Sequence, residues 1–112
     1  MTVVETDRFL ADAAQFWTAP EREELVLYLA QSPETGQIIP GTGGVRKLRW
    51  SRPGMGKRSG ARVIYYFHST RLPLFLLAAY GKSEKANLTQ AERNAMKRIV
   101  PFIVATYSIA KE

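Results

Sequence analysis

An α+β fold is predicted for this 112-residue chain, and three features of its sequence carry the prediction. Two apolar patterns at helical spacing come first, a run of strand-like segments separated by turns follows, and a third helical stripe closes the chain. The expected architecture is two N-terminal helices packed on a small twisted antiparallel β-sheet, with a C-terminal helix, in one domain over residues 1–112. With 46% hydrophobic residues, a chain of this length buries roughly 65% of its unfolded surface, enough for one core without staples.

Taken in order, residues 2–5 are β-prone and read as a short strand. Phe9, Leu10, Ala13, Phe16 and Trp17 then recur on one face of a helix. Thr18-Ala-Pro-Glu21 has the form of a capping box, in which the threonine hydroxyl and the glutamate each satisfy one backbone amide. The proline loses nothing there, because its amide is unpaired at a helix start in any case. A second helix is expected to about Ala30 or Gln31, with Leu25, Tyr28 and Leu29 inward, ended by Ser32-Pro-Glu-Thr-Gly36.

Seven of the eight glycines lie between Gly36 and Gly60, which marks residues 40–44 as a turn and 52–60 as a flexible basic loop. Between them, residues 45–50 read as a strand with Val45, Lys47 and Arg49 on one face and Arg46, Leu48 and Trp50 on the other. Residues 62–68 and 74–80 are two further strands joined by a turn around Ser69 to Pro73. The second is apolar on both faces, as suits a central strand covered by helices on one side. Strand aromatics usually pack, so Trp50, Tyr65, Phe67 and Phe75 are expected in the core. Thr89 and Glu92 repeat the capping box, and Met96, Ile99, Val100, Ile103, Val104 and Tyr107 form a closing stripe. Pro101 lies inside it and removes the bond to the Lys97 carbonyl, so a kink or break is expected.

Composition excludes much chemistry. Without cysteine there is no disulfide, thiolate metal site or thiol nucleophile, and a lone histidine, His68, removes most histidine-based metal sites and triads. The N-terminus lacks a signal-peptide profile and the longest apolar run is residues 74–80, far short of the ~20 needed to cross a bilayer. A soluble cytoplasmic protein without membrane contact is expected.

The net charge of +6 is unevenly spread. Residues 1–34 carry seven acids and two bases, residues 35–83 carry nine bases and no acid, and residues 84–112 carry three acids and five bases. Seven of the central bases are Arg46, Lys47, Arg49, Arg52, Lys57, Arg58 and Arg62. Cations at that density without carboxylates nearby usually meet a polyanion. With no carboxylate between Glu34 and Glu84, the segment cannot hold a hard divalent metal or a carboxylate dyad. No Rossmann or P-loop spacing is present, so neither a metal nor another cofactor is expected. Lysine and arginine suit one task above others, stabilising a phosphoryl transition state. RNA supplies its own nucleophile in the 2′-hydroxyl, so its cleavage needs only a base, an acid and cations around the phosphorus. Duplex DNA is a poorer fit, since the strongest basic cluster is not on a helix.

Gly41-Thr-Gly-Gly-Val-Arg-Lys-Leu-Arg49, Ala61-Arg-Val-Ile-Tyr-Tyr-Phe67 and Leu76-Leu-Ala-Ala-Tyr-Gly-Lys82, in that order, resemble the RelE/HigB toxins of bacterial type II toxin–antitoxin systems, in particular the phage-associated HigB-like branch. The resemblance covers about residues 20–105. It implies a ribosome-dependent mRNA endoribonuclease that inhibits translation. It also implies a cognate antitoxin, a helix-turn-helix DNA-binding protein through which alone the toxin reaches operator DNA. Carried over by motif, the catalytic residues are Lys47, Arg49, Arg62 and Lys82, with Arg46, Arg52, Lys57 and Arg58 as further RNA contacts. The substrate-stacking tyrosine of better-studied members has no counterpart in Lys85-Ala-Asn-Leu-Thr89, and His68 falls on no catalytic position. Two alternatives share the fold: a gyrase-poisoning ParE-like toxin, and a prophage-derived remnant that only binds an antitoxin. The first expects these basic residues to be missing.

Overall fold

Local chemistry sets where the helices begin. In the computed structural model, which describes residues 1–51, 60–81 and 87–110 (side chains to residue 106), the Thr6 hydroxyl accepts a bond from Phe9 N at 3.2 Å and starts α1 (Asp7–Ala13). The same hydroxyl donates to the Leu76 carbonyl at 2.7 Å, pinning the helix start to the sheet. Helix α2 (Ala19–Gln31) begins with the expected capping box: Thr18 N donates to Glu21 Oε1 at 2.8 Å, and Glu21 N to the Thr18 hydroxyl at 3.3 Å. Thr89 and Glu92 repeat the exchange at 2.8 and 3.1 Å before α3 (Gln90–Ala110).

Helix α1 stops earlier than its apolar spacing suggests. Phe16 N and Trp17 N both donate to the Ala13 carbonyl at 2.9 Å, closing the chain into turns. Trp17 is buried all the same and Phe16 packs beside it, so the periodicity marks core residues beyond the helix end.

Five strands form one sheet: β1 (Val3–Glu5), β2 (Gln37–Ile38), β3 (Val45–Trp50), β4 (Ala61–Tyr66) and β5 (Leu74–Gly81), in the order β1-β5-β4-β3-β2. Strands β2 to β5 pair antiparallel, as expected, but β1 runs parallel to β5, with Val3 opposite Leu74. The sheet is therefore mixed. Alternation along a strand encodes its faces, not the direction of a neighbour some seventy residues away. The two-residue edge strand β2 was not foreseen, being too short to show a period.

Both faces of the sheet are covered, rather than one. Phe9, Ala13 and Trp17 with Leu25 and Leu29 of α2 pack on Val63, Tyr65, Leu74 and Leu76. On the other face Met96 and Val100 of α3 pack on Val45, Ile64, Tyr66, Phe75, Ala78 and Tyr80. Strand β5 reaches both cores by alternation, and a bulge shifts its phase: Ile64 pairs with Ala78 but Tyr65 with Leu76, so Leu77 is an extra residue, partly buried on the α3 side like Ala78. Tyr28, expected inward, is instead 39% exposed, and Ile99 of the closing stripe is 49% exposed. Helix α3 continues through Pro101 without a break. The proline is exposed, so the freed Lys97 carbonyl meets water, while burial of Met96 and Val100 holds the helix on the sheet. No described helix is long and apolar enough to cross a membrane.

The turn into β2 depends on a close approach. Gly36 N donates to the Tyr65 hydroxyl at 2.8 Å, and that hydroxyl donates to the Pro33 carbonyl at 2.9 Å. A Cβ on Gly36 would lie 2.8 Å from the Tyr65 ring and 3.0 Å from the Lys47 carbonyl. Both obstacles are fixed, one by burial and one by the sheet. Gly36→Ala is expected to cost about 1–3 kcal/mol of stability, the usual cost of overpacking. Urea unfolding measures it, and an unchanged midpoint would mean that the turn shifts freely.

Candidate functional site

Side chains paired across antiparallel strands share a face, and the register therefore assembles the site. Arg49 of β3 lies opposite Arg62 of β4, which lies opposite Tyr80 of β5. Lys47 is two residues from Arg49 along β3, opposite Ile64, on the same face as α3. Met96 and Val100 cover this face over β4, β5 and Val45 at the start of β3, and the face stays open farther along β3. There Lys47, Arg49 and Arg62 line a pocket of 360 Å³ together with Thr35 and Gln37. Three of the four expected catalytic residues are thus brought together; the fourth, Lys82, lies outside the described residues.

The pocket is electrostatically one-sided. Lys47 Nζ donates to Asn87 Oδ1 at 3.0 Å, a neutral acceptor, and has no ion-pair partner among the described residues. Arg62 is half-buried, and its Nη1 is enclosed without a hydrogen-bond partner among the described residues. The ion pairs found among the described residues, Arg8–Asp12 at 3.7 Å and Arg22–Glu5 at 2.7 Å, involve neither Lys47 nor Arg62. Half-buried cations without carboxylates suit an anion from outside, because a built-in partner would have to be displaced first. Burial raises the pKa of the Tyr80 phenol beside Arg62; the guanidinium opposes the shift and Glu92 adds to it. Tyr80 is therefore a neutral wall at physiological pH. No group of three His, Cys, Asp or Glu side chains among the described residues is placed to hold a metal ion.

Arg46 stands apart from the other expected RNA contacts. It lies opposite Tyr65 on the reverse face, and its Nη1 donates to the carbonyls of Glu34 and Gly36 at 3.1 and 2.8 Å. Two of its donors brace the turn into β2, on the face that the strand alternation sets opposite to Lys47. Arg52, Lys57 and Arg58 lie outside the described residues. The aromatics expected in the core are there: Tyr65 and Phe75 are buried, Phe67 is partly buried, and Trp50 stacks 5.1 Å from Tyr28. His68 is exposed and its Nδ1 bonds the Tyr66 hydroxyl at 3.0 Å.

Thr35, Gln37, Asn87 and Tyr80 belong to the site without having been singled out from the sequence. Only Tyr80 carried a signal there, in the Tyr-Gly-Lys phrase; the other three are short polar residues that only the folded chain brings to the cations. A sequence model described as RelE toxin of RelE / RelB toxin-antitoxin system matches residues 23–108, from α2 through the whole sheet site into α3. With most of the chain and every described site residue inside that match, this protein belongs to the RelE family of toxins of toxin–antitoxin systems.

Proposed function

We propose that this toxin is an endoribonuclease of the HigB-like branch that cuts mRNA on the ribosome in the cytoplasm, without a metal, and so inhibits translation. One observation carries the reading: Lys47, Arg49 and Arg62 meet in one pocket, and no described carboxylate pairs with Lys47 or Arg62. The chemistry that fits is attack of the 2′-oxygen on the adjacent phosphorus. The 2′-hydroxyl loses its proton to a base, the P–O5′ bond breaks, and the 5′-oxygen takes a proton as it leaves. The product ends are a 2′,3′-cyclic phosphate and a 5′-hydroxyl. The charge gathering on the phosphoryl oxygens is met by fixed cations. Arg62 suits the clamp, being always protonated, forked, and without a carboxylate partner among the described residues. Lys47 and Arg49 extend the positive wall along β3, and Lys82 is proposed to complete it. A cognate antitoxin with a helix-turn-helix is proposed to cover the site.

The site is small, open and almost purely cationic, so it grips a flexible strand weakly and needs the ribosome to hold mRNA in line. Induced alone in a bacterium, the protein is expected to arrest growth and to leave mRNA fragments cut within translated frames, mapped by sequencing of 5′ ends. Purified without ribosomes, it should cut RNA poorly. Growth arrest with intact mRNA and gyrase-dependent DNA breaks would move the protein to the ParE-like class.

A further inference from the structure

We propose that the cationic groove continues beyond the scissile phosphate into a second nucleotide-binding pocket, where Arg93 of α3 clamps the next phosphodiester of the RNA. The inference rests on the RNA-cleaving reading and extends it to a subsite. A pocket of 310 Å³ adjoins the first and shares Gln37 and Lys47 with it. Its remaining wall is of two kinds. Ile39 and Pro40 give one apolar side, and Arg93 faces them from the start of α3 beside Leu88.

Arg93 is underused by the protein itself. Its Nε is enclosed with no hydrogen-bond partner among the described residues, and its Nη2 reaches only the Leu88 carbonyl, at a long 3.4 Å. A guanidinium has five donors in a fixed fork; Nε is enclosed and Nη2 is on the Leu88 carbonyl, which leaves Nη1 for a ligand. Neither ion pair found among the described residues involves it. Opposite, Pro40 is exposed and Ile39 is partly buried, an apolar surface displayed next to a cation.

A flat apolar body joined to an anion satisfies both walls at once, and a nucleotide is such a body. The base would lie on Ile39 and Pro40 and the phosphate on Arg93, the division of labour seen wherever single strands are held by stacking and backbone charge. An acidic peptide would satisfy Arg93 but leave the apolar wall exposed. Continuity with the Lys47 pocket also favours the strand that already passes there. Arg93 would act as a positioning residue, fixing the register of the strand so that one phosphate falls between Lys47 and Arg62.

The test uses the full chain and a fully 2′-O-methylated RNA 12-mer, which lacks the nucleophile and is not cut. Fluorescence anisotropy over a salt series is the readout. Arg93→Gln is expected to weaken binding about tenfold, the loss of one charge-assisted contact. It should also flatten the slope of log affinity against log salt by about 0.7, one phosphate on a single strand. Arg93→Lys should restore the slope. Pro40→Asp, at an exposed turn position in the pocket wall, should weaken binding as well, and it decides the matter if Arg93→Gln fails to fold. Unchanged affinity and slope in Arg93→Gln, alongside weakened binding in Arg62→Ala, would overturn the second pocket and leave the cleavage site standing. Loss of antitoxin binding with RNA binding intact, or no binding of the 12-mer by the wild-type chain, would overturn it too. Weakened binding in Arg93→Gln, in a chain that cuts no mRNA in cells, would keep the pocket and remove the catalytic reading.

Discussion

Arg62→Ala should lower mRNA cleavage by about 10²-fold or more, the scale expected when a donor aimed at transition-state charge is removed. The fold should survive the change. Arg62 has no carboxylate partner among the described residues, so no buried charge is orphaned by its loss. Its removal also takes away the opposition to the raised pKa of Tyr80, which moves that phenol further towards the neutral form it already holds. Fragment formation on a translated reporter mRNA measures the loss, and the thermal transition of the purified variant checks the fold. Arg62→Lys keeps the charge but not the fork, and should fall between the two. Lys47 lines the same pocket, so the double variant Lys47→Ala, Arg62→Ala should lose less than the product of the singles. Wild-type toxicity in that double variant would refute the site.

The largest structural effect is expected at Leu76. Its side chain is fully buried beneath α1 and α2, in the cluster with Phe9, Leu25 and Tyr65. Its carbonyl accepts from both the hydroxyl and the amide of Thr6, so the start of α1 hangs on the same residue. Leu76→Ala should cost about 2–5 kcal/mol by loss of burial and the cavity left behind, a large fraction of the stability of a small domain. Urea unfolding measures it, and a cost below about 1 kcal/mol would mean that this core collapses around the gap. The two variants fail differently in a cell. Arg62→Ala should accumulate as an inactive protein, whereas Leu76→Ala should be lost to proteolysis.

What the sequence disclosed follows the range of each interaction. Both capping boxes were legible because Thr18 and Glu21, or Thr89 and Glu92, are three residues apart and settle the matter between themselves. The separation of Lys47 and Arg49 from Arg46 was legible because a strand alternates. The family match agrees with the motif resemblance at the level of the RelE toxins. The parallel seat of β1, the covering of the second face by α3 and the pairing of Lys47 with Asn87, forty residues on, depend on contacts between distant segments. No local pattern encodes them. Arg93 was unreadable for the same reason: on the sequence it is one more charge on an amphipathic helix, and only the fold turns it over the pocket.

The extra residue in β5 has a consequence for how such a strand tolerates change. Up to Leu76 the strand obeys the parity of the α1–α2 core; from Ala78 onward it obeys the opposite one. Leu77 acts as a phase shift between two readings of the same strand. A regular strand of this sequence would carry Tyr80 to the reverse face, away from Arg62, and the wall of the cationic pocket would be built from different atoms. The composition of the pocket therefore hangs on a count of residues as much as on their kinds. An insertion or deletion in the strand is worse for the pocket than a substitution that keeps the count.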